Sequence, residues 1–176
     1  MKTEKNIVYI VGFMGSGKST AGKKLASSMS WSFIDLDRRI EEVARKTIPR
    51  IFSEDGEEHF RKTESEVLKS LTDNNSTIIS TGGGTPCHGD NMDYMNETGI
   101  TVYLKLTPEQ LVKRLLNSSG ERPLIKDIPD EKLPEFIEKK LALREKYYNK
   151  AEIIVDGLSL NIELLRSIIY SKSASR

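Results

Sequence analysis

At 176 residues, with 30% charged and 37% hydrophobic side chains, the chain has the length of one domain with a real core and the composition of a globular rather than a disordered protein. Its 27 basic and 26 acidic residues leave a formal net charge of +1, without the basic excess that a nucleic-acid partner usually shows. Cys87 is the only cysteine, which excludes an intrachain disulfide and suits the cytoplasm, and no apolar run reaches the length of a membrane span.

Met1 to Lys5 is charged, but the apolar run behind it is too short for a signal peptide and leads straight into a glycine-rich loop. That run, Ile7-Val8-Tyr9-Ile10-Val11, reads as a short buried strand. The loop, Gly12-Phe13-Met14-Gly15-Ser16-Gly17-Lys18-Ser19, fits the phosphate-binding pattern G-x-x-x-x-G-K-[ST] without a mismatch. Ala21, Leu25, Ala26 and Met29 then recur at helical spacing, so the loop has a strand before it and a helix after it. In that setting successive backbone N–H groups point into one concavity at a helix N-terminus, where the dipole favours anions. Gly15, Ser16, Gly17, Lys18, Ser19 and Thr20 are therefore the expected phosphate contacts, with Lys18 on the β- and γ-phosphates and the Ser19 hydroxyl on Mg²⁺. The motif predicts a protein that binds a nucleoside triphosphate.

Trp31 to Asp37 reads as a second strand ending in two acids, followed by a helix whose apolar face holds Ile40, Val43 and Ala44. Pro49 interrupts, Asp55-Gly56 makes a turn, and Glu57 to Leu71 is a charged amphipathic helix with Phe60, Val67, Leu68 and Leu71 inward. Ser76 to Ser80 is strand-like and enters Thr81-Gly82-Gly83-Gly84. Ile100 to Lys105 is another strand, and Pro108 opens a helix to about Leu116. Asn117 to Asp130 is polar, aperiodic and holds Gly120, Pro123 and Pro129, so it reads as a mobile loop. A long helix with Pro134 near its start, a last strand at Ile153 to Val155, the turn Asp156-Gly157 and a helix over Ile162 to Tyr170 complete the chain. Strands alternating with helices, without repeats or linkers, predict an α/β fold with a parallel sheet covered on both faces.

A phosphate loop serves motors, GTPases and kinases, and the remaining residues narrow the choice. The nearest approach to the guanine-reading N-K-x-D is Asn149-Lys150-Ala151-Glu152, which has the wrong acid and precedes a strand. No apolar strand ends in Asp-Glu, as motor ATPases require, which leaves a small kinase or a nucleotide-binding module. Asp35 and Asp37 lie two apart, so on a strand they point the same way, toward the edge where open parallel sheets bind ligands. In that reading Asp35 helps to hold Mg²⁺ through its waters and Asp37 lies further out, toward an acceptor hydroxyl. The plainer alternative is a pair of helix-capping acids at a strand end. Asp156, after the last strand, is a rival acid but precedes Gly157 in what reads as a simple turn. Glu57, Arg61 and Glu64 share a helical face, as a surface ion ladder also would. The triple glycine permits close approach to a ligand or simply makes a tight loop. Arg122 stands where a cation on a closing lid would, and Arg144 by itself is one more solvated charge on the long helix. His59, His88 and Cys87 show no metal or nucleophile spacing, and Trp31, Tyr147 and Tyr148 read as packing residues.

Taken together, six segments in this order resemble the shikimate kinase family over nearly the whole chain. Besides the phosphate loop they are Phe33-Ile34-Asp35-Leu36-Asp37, Gly56 to Glu64 (Gly-Glu-Glu-His-Phe-Arg-Lys-Thr-Glu), Thr81-Gly82-Gly83-Gly84, Glu121-Arg122-Pro123-Leu124 and Leu143-Arg144-Glu145-Lys146-Tyr147-Tyr148. The resemblance implies a single P-loop kinase domain, related to the nucleoside monophosphate kinases, with a five-stranded parallel sheet in the order 2-3-1-4-5 and a lid at about 117–130. It implies phosphoryl transfer from ATP to shikimate, giving 3-phosphoshikimate and ADP on the route to chorismate and the aromatic amino acids. Asp37, Arg61, Gly82, Gly83, Gly84 and Arg144 would hold shikimate, the two arginines gripping its carboxylate. Arg114 would lie against adenine and Arg122 would close over the phosphates, while Lys18, Asp37 and Arg122 would act in catalysis. Ser19 and Asp35 would serve Mg²⁺, and a cytoplasmic monomer with no nucleic-acid or membrane partner is expected. Leu158-Ser159-Leu160-Asn161 lacks the basic residue that some members place beside adenine. Two alternatives are a sugar-acid kinase of the gluconate type and a nucleotide-binding module without catalysis, the latter expected to carry a damaged acceptor site.

Overall fold

The computed structural model describes residues 6–72, 75–118 and 125–174. Five strands, β1 (Ile7–Val11), β2 (Ser32–Asp35), β3 (Thr77–Ser80), β4 (Ile100–Lys105) and β5 (Ile153–Asp156), form one sheet in the order β2-β3-β1-β4-β5. Every neighbouring pair is parallel, as the alternation of strands and helices predicts. All five residues of β1 are buried, because a central parallel strand has helices over both faces. Val8 and Ile10 face one core with Leu25, Ile78, Val102 and Leu165, while Tyr9 and Val11 face another with Ile79, Leu68, Tyr103 and Ile137.

The first core is closed by α1 (Lys18–Met29) and α8 (Ile162–Ala174), the second by α2 (Leu36–Ala44), α4 (Gly56–Ser70) and α7 (Leu133–Tyr148). Between them run α3 (Ile48–Glu54), α5 (Asn91–Thr98) and α6 (Pro108–Leu116), and short 3₁₀ turns lie at Thr85–Cys87 and Asp130–Lys132. Phe60, Val67, Leu68 and Leu71 are buried as their spacing predicts, whereas Val43 is 54% exposed although its spacing placed it on the inner face of α2.

Three local departures from the sequence reading bear on the site. The second strand stops at Asp35, not Asp37, because the Asp35 carboxylate accepts the Arg38 backbone N–H at 3.4 Å and starts α2 at once. Pro49 does not break the chain: it occupies the first turn of α3, where a missing N–H costs nothing. α5 goes unpredicted because its eight residues are mostly polar and turn only Asn91, Met92 and Met95 inward.

Candidate active site

The phosphate loop runs from the end of β1 into α1. Gly15 and Gly17 take φ of 78° and 91°, a backbone that a side chain would strain, and Gly17 caps the helix with Lys18 as its first residue. Lys18 is buried, and its ammonium donates to the Phe13 carbonyl at 2.9 Å, which curls the side chain over the loop. The Ser16 hydroxyl is buried without a hydrogen-bond partner among the described residues. The Ser19 hydroxyl donates to Asp35 Oδ2 at 2.7 Å and lies 3.2 Å from the Ser80 hydroxyl. A cavity of ≈ 340 Å³ is lined by Gly15, Gly17, Lys18, Ser19, Thr20 and Asp35, among others. Arg114 on α6 braces the loop from outside, donating to the Ser16 carbonyl at 3.0 Å and to the Gly157 carbonyl at 3.3 Å. It thus joins the phosphate loop to the turn after β5. Asp156 is engaged in that turn, accepting from the Leu158 N–H at 2.9 Å and the Ser159 hydroxyl at 2.6 Å.

Beside this cavity opens a cleft of ≈ 1710 Å³, and Met14, Asp35, Asp37, Gly82 and Gly83 line both. The triple glycine after β3 is the floor against which the polar residues gather. A Cβ on Gly82 would stand 2.9 Å from Asp37 Oδ1, one on Gly83 would stand 3.3 Å from Arg144 Nη1, and one on Gly84 would stand 2.7 Å from Arg61 Nη2. The glycines are therefore present for close approach, since each of the three abuts a different polar side chain.

Arg61 and Glu64 leave the surface-ladder alternative behind, while Glu57 keeps it. Glu64 is 1% exposed, accepts from Arg61 Nη1 at 2.9 Å and from the Thr85 hydroxyl at 2.6 Å; Glu57 remains outside, 3.5 Å from Arg61 Nε. Arg144 is buried, contrary to the solvated charge that its helical position alone suggests. Its guanidinium lies 5.5 Å from the centroid of the Phe13 ring, a cation–π support supplied by the phosphate loop, and its Nη1 has no hydrogen-bond partner among the described residues. One turn later Tyr148 is fully buried and donates its hydroxyl to the Gly83 carbonyl, so it holds the glycine floor as well as packing.

Asp37 lies in the first turn of α2, not on a strand, yet it reaches the same cleft as Asp35 because the helix starts directly at the strand end. Asp37 is exposed to the open cleft, while one face of its carboxylate lies against Gly82. This partial desolvation, with the nearby negative charge of Asp35, pushes its pKa up to about 6, against the pull of Lys18. Screening by cleft water trims the effect without changing its sign.

Glu64, Thr85, Phe13 and Tyr148 are the supporting residues that sequence reasoning did not place at the site. The Glu64 spacing to Arg61 and the Tyr148 spacing to Arg144 were the available signals. Arg122, with the segment Glu121-Arg122-Pro123-Leu124, lies outside the described residues, as does part of the expected lid. From Ile125 onward the chain makes a turn, with the Ile128 N–H on the Ile125 carbonyl, and both isoleucines pack against the core. Among the described residues no group of three or more His, Cys, Asp or Glu is gathered as a metal cluster, and no helix is long and apolar enough to cross a membrane.

The shikimate kinase family model matches residues 14–171. The chain belongs to the shikimate kinase family. A shikimate kinase from Parabacteroides distasonis is 46% identical over 150 residues, covering 85% of this chain and 87% of that protein. Among solved structures, the shikimate kinase of Bacteroides thetaiotaomicron superposes with a TM-score of 0.86 at 37% identity, covering 94% of this chain and 97% of the other. The Acinetobacter baumannii shikimate kinase, solved in complex with shikimate, matches with a TM-score of 0.82 at 31% identity over 97% and 93% of the two chains. A gluconokinase from Sinorhizobium meliloti shares the fold at a TM-score of 0.54 and 15% identity, with 98% and 93% of the chains covered. Membership of the shikimate kinase family thus joins a parallel five-stranded sheet to an intact phosphate loop and a cleft with two converging arginines.

Proposed function

We propose that the protein transfers the γ-phosphoryl group of ATP to the 3-hydroxyl of shikimate, giving 3-phosphoshikimate and ADP. The observation that carries this reading is the placement of Arg61 and Arg144 against adjacent glycines of one floor, with Asp37 shared between cleft and phosphate cavity. Two guanidiniums, one with a buried Nη1 that still lacks a partner, suit a small acid whose carboxylate takes a bidentate fork. Asp37 then meets the acceptor's hydroxyls between that carboxylate and the phosphates. With its pKa raised to about 6 it is still mostly ionised at neutral pH, and its basicity lies closer to the working range than an ordinary aspartate's.

On the donor side, Lys18 exchanges the Phe13 carbonyl for phosphate oxygens, and the loop N–H groups from Gly15 to Thr20 cradle the rest. Arg114, between the loop and the Gly157 turn, borders the adenine, which fits the absence of a basic residue over 158–161. The hard oxygen pair of Ser19 and Asp35, 2.7 Å apart at the phosphate cavity, fits Mg²⁺, which takes such ligands together with phosphate oxygens and water. When bound, Mg²⁺ would neutralise charge building on the transferring group. Arg122 keeps the part that the family resemblance implies, a cation on the phosphates, and the cytoplasm is the compartment implied by ATP chemistry and a lone thiol.

The test is ADP release measured with shikimate, with gluconate and without acceptor. Release that depends on shikimate is expected. Release that depends on gluconate instead, or none with either acid while ATP still binds, would overturn the assignment.

A further inference from the structure

Arg61 is a long side chain that must present its fork at one angle, and Glu57, 64% exposed and 3.5 Å away, is a weak guide for it. The stronger guide is Glu64, whose two oxygens are used separately: Oε2 takes Arg61 Nη1 at 2.9 Å and Oε1 takes the Thr85 hydroxyl at 2.6 Å. A carboxylate held by one partner can still turn about its own axis, whereas donors on both oxygens set its plane. Thr85 is itself fixed. It is 0% exposed, its N–H donates to the Gly82 carbonyl at 3.2 Å, and its carbonyl accepts Asn91 Nδ2 at 3.0 Å. Asn91, also 0% exposed, opens α5 and donates its own N–H to the His88 carbonyl at 3.2 Å. The chain of contacts thus runs from α5 through the 3₁₀ turn to α4 and ends at the cleft.

We propose that Thr85 is a positioning residue for the acceptor acid: its hydroxyl fixes Glu64, and through Glu64 the Arg61 guanidinium, in the orientation that receives a carboxylate. This rests on the proposed carboxylate clamp. A hydroxyl at this point is needed for a physical reason, because a buried carboxylate left with one donor loses a charge-assisted hydrogen bond and must find another partner. The nearest alternative partner is Arg61 itself, so loss of the hydroxyl draws the guanidinium further onto Glu64 and away from the acceptor. ATP, bound on the far side of Asp37, is untouched by the change.

The experiment compares Thr85→Val, Thr85→Ala and Thr85→Ser in the full chain, so that a packing fault in one variant does not stand for loss of the hydroxyl. The valine and alanine variants are expected to raise the KM for shikimate about 5- to 30-fold, with kcat and the KM for ATP within twofold of wild type. The serine variant is expected to restore the wild-type KM. A shikimate KM unchanged in both donor-less variants overturns the proposal, and so does a uniform loss in kcat and both KM values, which marks Thr85 as packing only. A crystal structure of Thr85→Val reads the relay without any acceptor. Arg61 shifted on Glu64 supports it, and an Arg61–Glu64 contact identical to wild type overturns it. A wild-type enzyme inactive toward shikimate would refute the substrate assignment while leaving that structural comparison to decide the relay.

Discussion

Gly84→Ala separates function from folding more cleanly than a change in any charged residue. Gly84 has φ −90° and ψ −16°, a conformation open to alanine, so the substitution carries no backbone penalty. The added Cβ would stand 2.7 and 2.8 Å from the two terminal nitrogens of Arg61 and 3.0 Å from Cζ, where contacts of this kind settle near ~3.5 Å. The guanidinium must therefore retreat by roughly 0.5–1 Å, which the far end of a long side chain can do by small torsional changes while Nη1 keeps its contact with Glu64. Stability should change by less than about 1 kcal/mol, or about 2–4 °C in Tm for a chain of this size. The displaced fork, in contrast, no longer meets the acceptor carboxylate squarely. A charge-assisted hydrogen bond is worth about 1.5–3 kcal/mol, and misplacement of about 1 Å can cost 10²-fold, so kcat/KM for shikimate should fall about 10- to 100-fold. The assay is ADP release over a range of shikimate at saturating ATP, beside a thermal melt and a titration of ATP. A kcat/KM within twofold of wild type would refute the reasoning, as would a Tm loss above about 10 °C, which would make Gly84 a folding residue.

Two further changes probe the donor side and the shared carboxylate. Lys18→Ala should leave the melt within a few degrees and reduce turnover by more than tenfold, since the role proposed for the lysine is on the phosphates and not in the core; a folded variant that keeps over a tenth of wild-type turnover contradicts this. Asp37 must be ionised to accept a proton, so with a pKa of about 6 the rate should fall as pH drops below that value, and Asp37→Asn should abolish this limb and lower kcat by ~10²–10⁴. The same raised pKa means that the folded state holds a proton between the ordinary aspartate value of 3.8 and about 6 while the unfolded state does not. Asp37 therefore weakens the fold as pH rises through that window, and Asp37→Asn should stabilise the protein at pH 7 by roughly 1 kcal/mol after screening by cleft water. An unchanged acid limb in the variant, or a variant less stable than wild type, would count against this account of Asp37.

The parts of the site that were legible in the sequence are those in which function demands contiguous residues. The phosphate loop is one: its glycines, Lys18 and Ser19 adjoin because a single turn of backbone between β1 and α1 forms the whole loop. The triple glycine is legible as an oddity, although only the packed structure explains it, by placing Asp37, Arg144 and Arg61 against its three members. Arg144 was legible only through the family resemblance, not from its own surroundings in the chain. Its helix is charged throughout, and nothing in the local pattern reveals that Phe13, more than a hundred positions earlier, lies beneath it. Asp37 reached the expected cleft by an unexpected route, because Asp35 caps a helix sooner than the apolar pattern indicated. The helix-cap alternative for Asp35 is observed, and its second oxygen accepts the Ser19 hydroxyl. α3 and α5 escaped notice because a proline in a first turn and a short polar helix mimic loops in any local reading.

Arg61 and Arg144 are proposed to recognise the acceptor through its carboxylate. Comparison of shikimate with its methyl ester tests this most directly, since esterification removes the negative charge and leaves the ring hydroxyls in place. With the wild-type enzyme at saturating ATP, kcat/KM for the ester should be at least about 100-fold below that for shikimate, in line with the loss of two charge-assisted contacts. The KM for ATP should not change. An ester phosphorylated as efficiently as the acid would contradict the carboxylate clamp.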